Sequence, residues 1–131
     1  MFAIKNFIIL AFSLFATVVF AGQTPQISQQ ELLTALKKAD HNIVVLDVRS
    51  AEEYEEGHLA NAVNVSHNTV ADKLNFLSQY KDKEVVVHCR SGRRAAFAEN
   101  ILAENGFENV RHLTGDMNGW LEAKLPVVIN K

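Results

Sequence analysis

Only one cysteine occurs among the 131 residues, so the chain cannot close an internal disulfide. That cysteine and five scattered histidines offer no ligand cluster with zinc-like spacing, and no metal is expected. An excess of charge is also missing. Thirteen Lys and Arg against fifteen Asp and Glu leave a formal net charge of -2, which gives no reason to expect a nucleic acid as partner. There is no internal repeat and no low-complexity segment.

Long hydrophobic runs are absent too, with one exception at the start. Within residues 1–21 the only charge is Lys5, and Phe7 to Phe20 is apolar apart from Ser13 and Thr17. Val19-Phe20-Ala21 puts small residues at the two positions a signal peptidase reads. The pattern predicts a secretory signal cleaved before Gly22. An uncleaved anchor is the alternative, but the run is short for a hydrocarbon core that takes about 20 residues. No cysteine follows it, which argues against a lipoprotein. Loss of residues 1–21 removes Lys5 and takes the net charge from -2 to -3. The remainder is enough for one domain and too little for two: residues 22–25 as linker and 26–129 as the fold. The expected location is periplasmic or secreted, with no stable membrane contact after cleavage. A free thiol kept in an oxidising compartment suggests use.

What is present alternates between strand and helix patterns. Ile43 to Val48, Ala62 to Val65, Glu84 to His88 and Val110 to Leu113 read as strands, with a first short one ending at Ile27. Nearly all-apolar runs such as Ile43-Val44-Val45-Leu46 suit a parallel sheet covered on both faces. Helices are expected from the Ser28/Glu31 capping box to about Ala39, and from the Ser50/Glu53 box to Gly57. Further helices are expected over Asn68–Gln79, Ala95–Asn105 and Asp116–Ala123. The run Glu52, Glu53, Glu55 and Glu56 reads as a solvated face, and Trp120 as core. Alternating strands and helices imply one parallel sheet with helices on both faces, ligands binding beyond its carboxyl edge. Asp47 to Arg49, Ser66 to His67, Cys89 to Arg94 and Thr114 to Asp116 all lie at that edge.

Cys89 stands where the Val85-Val86-Val87 strand becomes a helix, followed by Arg90-Ser91-Gly92-Arg93-Arg94. A Gly-containing turn continued by the free amides of a helix start makes a ring of donors that binds anions. The same ring and the three guanidinium groups favour the thiolate of Cys89, in an electropositive and partly exposed setting. A buried structural cysteine would need neither Gly92 nor three arginines.

Cys89-Arg90-Ser91-Gly92-Arg93-Arg94 resembles the active-site loop of the rhodanese family of sulfurtransferases. Leu46-Asp47-Val48-Arg49 with Glu53, Gly57 to Ala62, and Gly115 to Trp120 followed by Leu125-Pro126-Val127 are similar to further signatures of that family. The resemblance spans about residues 26 to 129 and implies an α/β, three-layer rhodanese-like domain with a five-stranded parallel sheet. It implies a cofactor-free enzyme in which Cys89 takes a sulfane sulfur from a small sulfur-containing anion such as thiosulfate. The resulting persulfide would pass sulfur to a thiol or cyanide-like acceptor. Arg90, Ser91, Gly92, Arg93 and Arg94 would bind the donor, although Arg94, at the helix start, is also a candidate for a structural role.

Asp47, Arg49 and His58 are candidate supporting residues. The first two read as a brace between loops and His58 as a hydrogen-bonding group of the Gly57 turn. His88 should face away from Cys89. Two other readings compete: a persulfide carrier or binding module with little turnover, and a cysteine phosphatase or arsenate reductase of related fold. The latter pattern puts five residues between cysteine and arginine, whereas four separate Cys89 from Arg94 and the expected arginine position is Ala95. The N-terminal sequence of the protein recovered from an exporting bacterial host should begin at Gly22; a mature chain still carrying residues 1–21 would make that segment an anchor.

Overall fold

The computed structural model describes residues 23–129; the expected signal segment and Gly22 lie outside them. Five parallel strands form one sheet in the order β1-β5-β4-β2-β3. They are β1 (Gln26–Ile27), β2 (Ile43–Asp47), β3 (Val63–Asn64), β4 (Glu84–His88) and β5 (Val110–Leu113). The helices are α1 (Gln29–Leu36), α2 (Ala51–Glu56), α3 (Leu74–Leu77), α4 (Arg93–Glu104) and α5 (Asp116–Glu122). The central strand, β4, is in register with β2 from Glu84 opposite Ile43 to His88 opposite Asp47.

The two-residue period of β4 divides its side chains between two cores. Val85, Val87 and Cys89 join Val44, Leu46, Ala98, Leu102 and Phe107 beneath α4 and the α3 segment. Val86 faces the other way, with Val45, Ile27, Leu32, Leu113, Met117 and Trp120, where α1, α5 and the tail pack. Both faces of the sheet are therefore covered, as its apolar strands require. Trp120 is 2 % exposed and donates its indole N–H to the carbonyl of Pro126 at 2.9 Å, which pins the tail.

Several elements differ from the sequence pattern. The segment expected as one helix over Asn68–Gln79 is broken into 3₁₀ turns at His67–Thr69, Ala71–Lys73 and Ser78–Tyr80 around the single α-turn of α3. Polar side chains there take backbone carbonyls: Thr69 that of Ser66, Ser78 that of Asn75 and Gln79 that of Phe76. Such local bonds compete with a continuous helix, while Val70 and Leu77 still reach the core. Helix α1 stops at Leu36 rather than Ala39. Its Ser28 accepts the Glu31 amide, but the Glu31 carboxylate turns to Arg111 instead of completing the box. Helix α4 begins two residues early, at Arg93, because Gly92 takes the left-handed cap conformation, with φ 116°.

Trp120→Ala should lower the unfolding free energy by about 3–5 kcal/mol, through the cavity left in the second core and the lost anchor for the tail. Urea denaturation measures it; a loss under about 1 kcal/mol would mean that this core closes without the indole.

Candidate active site

The carboxyl ends of β2, β4 and β5 meet at one edge, and the chain after β4 turns there through four residues, Cys89 to Gly92, before α4 begins. Cys89 continues the β4 alternation into the first core, so its side chain starts inward, and Gly92 folds back over it. The Gly92 N–H donates to Cys89 Sγ at 2.9 Å. Glycine is required at this position, because its φ of 116° suits no other residue and a Cβ would lie 3.1 Å from Asp116 Oδ2. The first α4 amide to find an acceptor four residues back is that of Ala96, bonded to Gly92 O at 3.0 Å. The helix amides before it have no such intrahelical acceptor, and they lie at the positive end of a twelve-residue helix.

Exposure is one point on which the sequence misleads. The thiol is 1 % exposed, not partly open, because so short a turn leaves no gap between Gly92 and the sulfur. Arg90, Ser91 and Arg93 are exposed around it. Arg94 is committed elsewhere. Its guanidinium forms a two-pronged pair with Glu53 of α2, at 2.7 and 3.0 Å. Those hydrogen bonds hold the Glu53 carboxyl at about 2. Glu53 is thus no part of a merely solvated acidic face, and the unpaired cations of the loop narrow to Arg90 and Arg93. Glu53 also completes the capping box with Ser50, which fixes α2 against the loop.

The three supporting candidates form the wall beside the loop. Asp47 is fully buried and receives the Arg49 backbone amide as well as its guanidinium, the shortest contact being 2.6 Å. Arg49 reaches on to the carbonyl of Gly57 at 2.8 Å, tying the end of β2 to the turn after α2. His58 stacks on Tyr54 with ring centroids 3.7 Å apart, and its Nδ1 is 2.8 Å from the Tyr54 carbonyl. Its backbone exchanges hydrogen bonds with Val128 of the tail. His88 lies under the loop with no exposure, and its Nδ1–H donates to the Cys89 carbonyl at 3.0 Å. Burial lowers its pKa despite the Asp47 carboxylate nearby, so the imidazole is neutral. Among the described residues, His88 Nε2 is the one buried polar side-chain atom without a partner.

Sequence reasoning missed the group that holds the loop from behind. Asp116, the first residue of α5, accepts the Cys89 N–H on Oδ1 at 2.9 Å. In return the amides of Met117 and Asn118 donate to the carbonyls of Cys89 and Arg90, both at 3.0 Å. Asp116 Oδ2 is 2.9 Å from His112 Nε2, and His112 Nδ1 is 2.7 Å from Glu99 Oε2. These two carboxylates push the His112 pKa up to about 10. Burial opposes ionisation of Asp116, but the His112 contact and the Cys89 amide outweigh it and hold that carboxyl below its usual value. The only trace in the sequence is the i, i+4 spacing of His112 and Asp116 at an edge already marked as functional.

An open cleft of about 620 Å³ runs along this side of the loop, past Ser91, Gly92, Glu99, His112 and Asp116. A smaller one of about 180 Å³ lies on the other side, past Arg49, Gly57 and Arg90. Both clefts border the turn that covers the thiol, and neither is lined by Cys89 itself. A sulfur that accepts an amide on a turn carrying two exposed arginines can act as a nucleophile toward a small anion once the turn admits it.

Comparison with known proteins identifies the family and the fold. The family model described as Rhodanese-like domain matches residues 28–123. A solved rhodanese-related protein from Thermoplasma volcanium superposes with a TM-score of 0.71 at 30 % identity, over 81 % of this chain and 99 % of that one. The tRNA uridine(34) hydroxylase of Erwinia tasmaniensis is 39 % identical over 80 residues, which are 58 % of this chain and 23 % of that protein. YrkF of Bacillus subtilis, a candidate sulfur carrier protein, is 32 % identical over 103 residues, 76 % of this chain and 52 % of that one. The chain therefore spans about a quarter of the hydroxylase and about half of YrkF.

The raised His112 pKa ties stability to pH. The folded protein keeps the His112 proton up to about 10, whereas the unfolded chain releases it near 6.5. The stabilisation is thus complete below about pH 6.5 and declines as the pH rises toward 10. Urea midpoints of the parent and His112→Gln should differ most at and below about pH 6.5 and converge toward pH 10. A constant difference across that range would mean that His112 is not the cation between these carboxylates.

Proposed function

The chain belongs to the rhodanese-like family, and from that membership together with the loop geometry we propose that it is an exported sulfurtransferase working through a persulfide on Cys89. The observation that carries the reading is the sulfur itself, which lies under the turn before α4 and accepts the Gly92 N–H at 2.9 Å. An amide so placed stabilises an anion on Cys89 or on a second sulfur attached to it.

The thiolate of Cys89 attacks the outer sulfur of a sulfane donor such as thiosulfate. A new S–S bond forms as the S–S bond of the donor breaks, and sulfite leaves with the electron pair. The negative charge moves to the outer sulfur of the Cys89 persulfide. A nucleophilic acceptor, a thiolate or cyanide, then attacks that sulfur and departs as a persulfide or thiocyanate, which returns Cys89 to the thiolate. Every step joins two anions, so positive potential at the loop lowers both barriers. Arg90 and Arg93 supply it, with the unbonded amides at the start of α4. Arg94, paired with Glu53, holds the loop in place.

The reading includes export to the periplasm or beyond the cell, on the strength of residues 1–21. It makes turnover of free thiosulfate and single-load delivery to a protein acceptor two forms of the same chemistry. The name of YrkF favours the carrier form. A phosphatase or arsenate reductase is disfavoured because the position where an arginine would have to hold the oxyanion is Ala95, which is wholly buried.

Mass spectrometry after incubation with thiosulfate should show one added sulfur atom on the parent and none on Cys89→Ser. No addition to the parent, or hydrolysis of a phosphate ester by it, would overturn the assignment. In a cyanide assay with free thiosulfate, a carrier should load once and turn over slowly.

A further inference from the structure

Asp116 is in an unusual state for a residue beside a reactive sulfur. It adopts φ 53°, directly after Gly115 at φ 85°, a conformation disfavoured for a residue with a side chain. Its carboxylate is 3 % exposed. One oxygen holds the Cys89 amide, a task that a neutral carbonyl oxygen would perform as well. The charge is therefore surplus to the hydrogen bond, and it opposes both a thiolate and an incoming anion. The carboxylate is bonded to the backbone of Cys89 itself, at 2.9 Å, and its other oxygen borders Gly92, whose amide meets the sulfur.

The structure also holds the remedy. Both ring nitrogens of His112 face carboxylate oxygens, at 2.7 Å to Glu99 and 2.9 Å to Asp116. Only an imidazolium, with a proton on each nitrogen, donates in both directions. We infer that His112 is a positioning residue for Cys89: as a cation clamped between Glu99 and Asp116, it offsets part of the charge of the carboxylate that holds the sulfur loop, bringing a pair of carboxylates from -2 to -1, and so keeps Cys89 reactive as an anion. Glu99, on α4 and 4 % exposed, fixes the ring from the far side and maintains its protonation. The inference rests on the reading of Cys89 as an anionic nucleophile.

The other charged and titratable groups around the sulfur are Arg90, Arg93 and Arg94 of its own loop, Asp47 and Arg49 at the end of β2, and His88 beneath it. Asp47 is paired with Arg49 and Arg94 with Glu53, and His88 is neutral. Offsetting Asp116 is thus the task left to His112. From β1 its neighbour in register is the uncharged Gln26.

Cys89 is the only cysteine and is buried, so iodoacetamide across about pH 5 to 10 reads this thiol alone through opening of its turn: the opening scales the rate at every pH, and ionisation sets the midpoint. His112→Gln should move the midpoint of the alkylation profile up by about 0.5–1 pH unit, slowing the reaction at neutral pH by about three- to tenfold. Asp116→Asn should move the midpoint down, and the double variant should return close to the parent. A merely structural role would loosen the loop and change the rate at every pH without moving the midpoint. The inference fails if His112→Gln leaves the midpoint in place, or if the double variant stays as slow as the single one. Circular dichroism checks folding. Should His112→Gln not fold, Asp116→Asn decides alone, and an unmoved or raised midpoint overturns the inference. Sulfur loading of the parent by thiosulfate is followed in parallel. Loading with unmoved midpoints removes only the role of His112; shifted midpoints without loading leave that role standing and remove the sulfur transfer.

Discussion

The loop at Cys89 depends on a clasp between a four-residue turn, Cys89 to Gly92, and the start of a short helix. Asp116 takes the Cys89 amide, and the next two amides of α5 take the carbonyls of Cys89 and Arg90. Backbone groups of the turn that would be orphaned on leaving the sheet are thereby satisfied. The turn can then curl tightly enough for the Gly92 N–H to meet the sulfur. With the Cys89 amide and the carbonyls of Cys89 and Arg90 held by α5, the amide that meets the sulfur is that of Gly92.

Charge is distributed around that clasp with economy. Three arginines follow the cysteine within five residues, yet one of them, Arg94, serves as a brace to Glu53. On the β2 side, Arg49 and Asp47 neutralise each other in a buried pair and join the end of β2 to the Gly57 turn. Buried pairs of this kind add little net stability but are costly to break, so they fix loop positions. Arg90 and Arg93, on the same turn as the sulfur, are exposed and form no ion pair among the described residues.

The order of elements was legible because it rests on local pattern. Glu84 to His88 and Val110 to Leu113 match their strands residue for residue, the first around three consecutive valines and the second between apolar ends, Val110 and Leu113, with polar turns on either side. The Asn68–Gln79 stretch misled because its apolar spacing suits a helix, while its Thr, Ser and Gln side chains bond to the backbone locally. Long-range pairing was not legible. Glu53 and Arg94 are 41 residues apart, and nothing in the run Glu52 to Glu56 marks one carboxylate as different from its neighbours. The Glu99–His112–Asp116 chain draws on three elements, and only their packing brings it together. Burial of the thiol escaped prediction for a similar reason, because exposure in a tight turn is set by how far the turn closes.

The central claim is that the amides of residues 90–94 form a cradle for a negatively charged sulfur. A crystal structure of the thiosulfate-treated protein tests it most directly. The outer sulfur should lie inside the turn, within hydrogen-bonding distance of several of those amides, with Arg90 or Arg93 turned toward it. An added sulfur directed out of the turn, away from the amides, with both guanidinium groups still in solvent, would contradict the account.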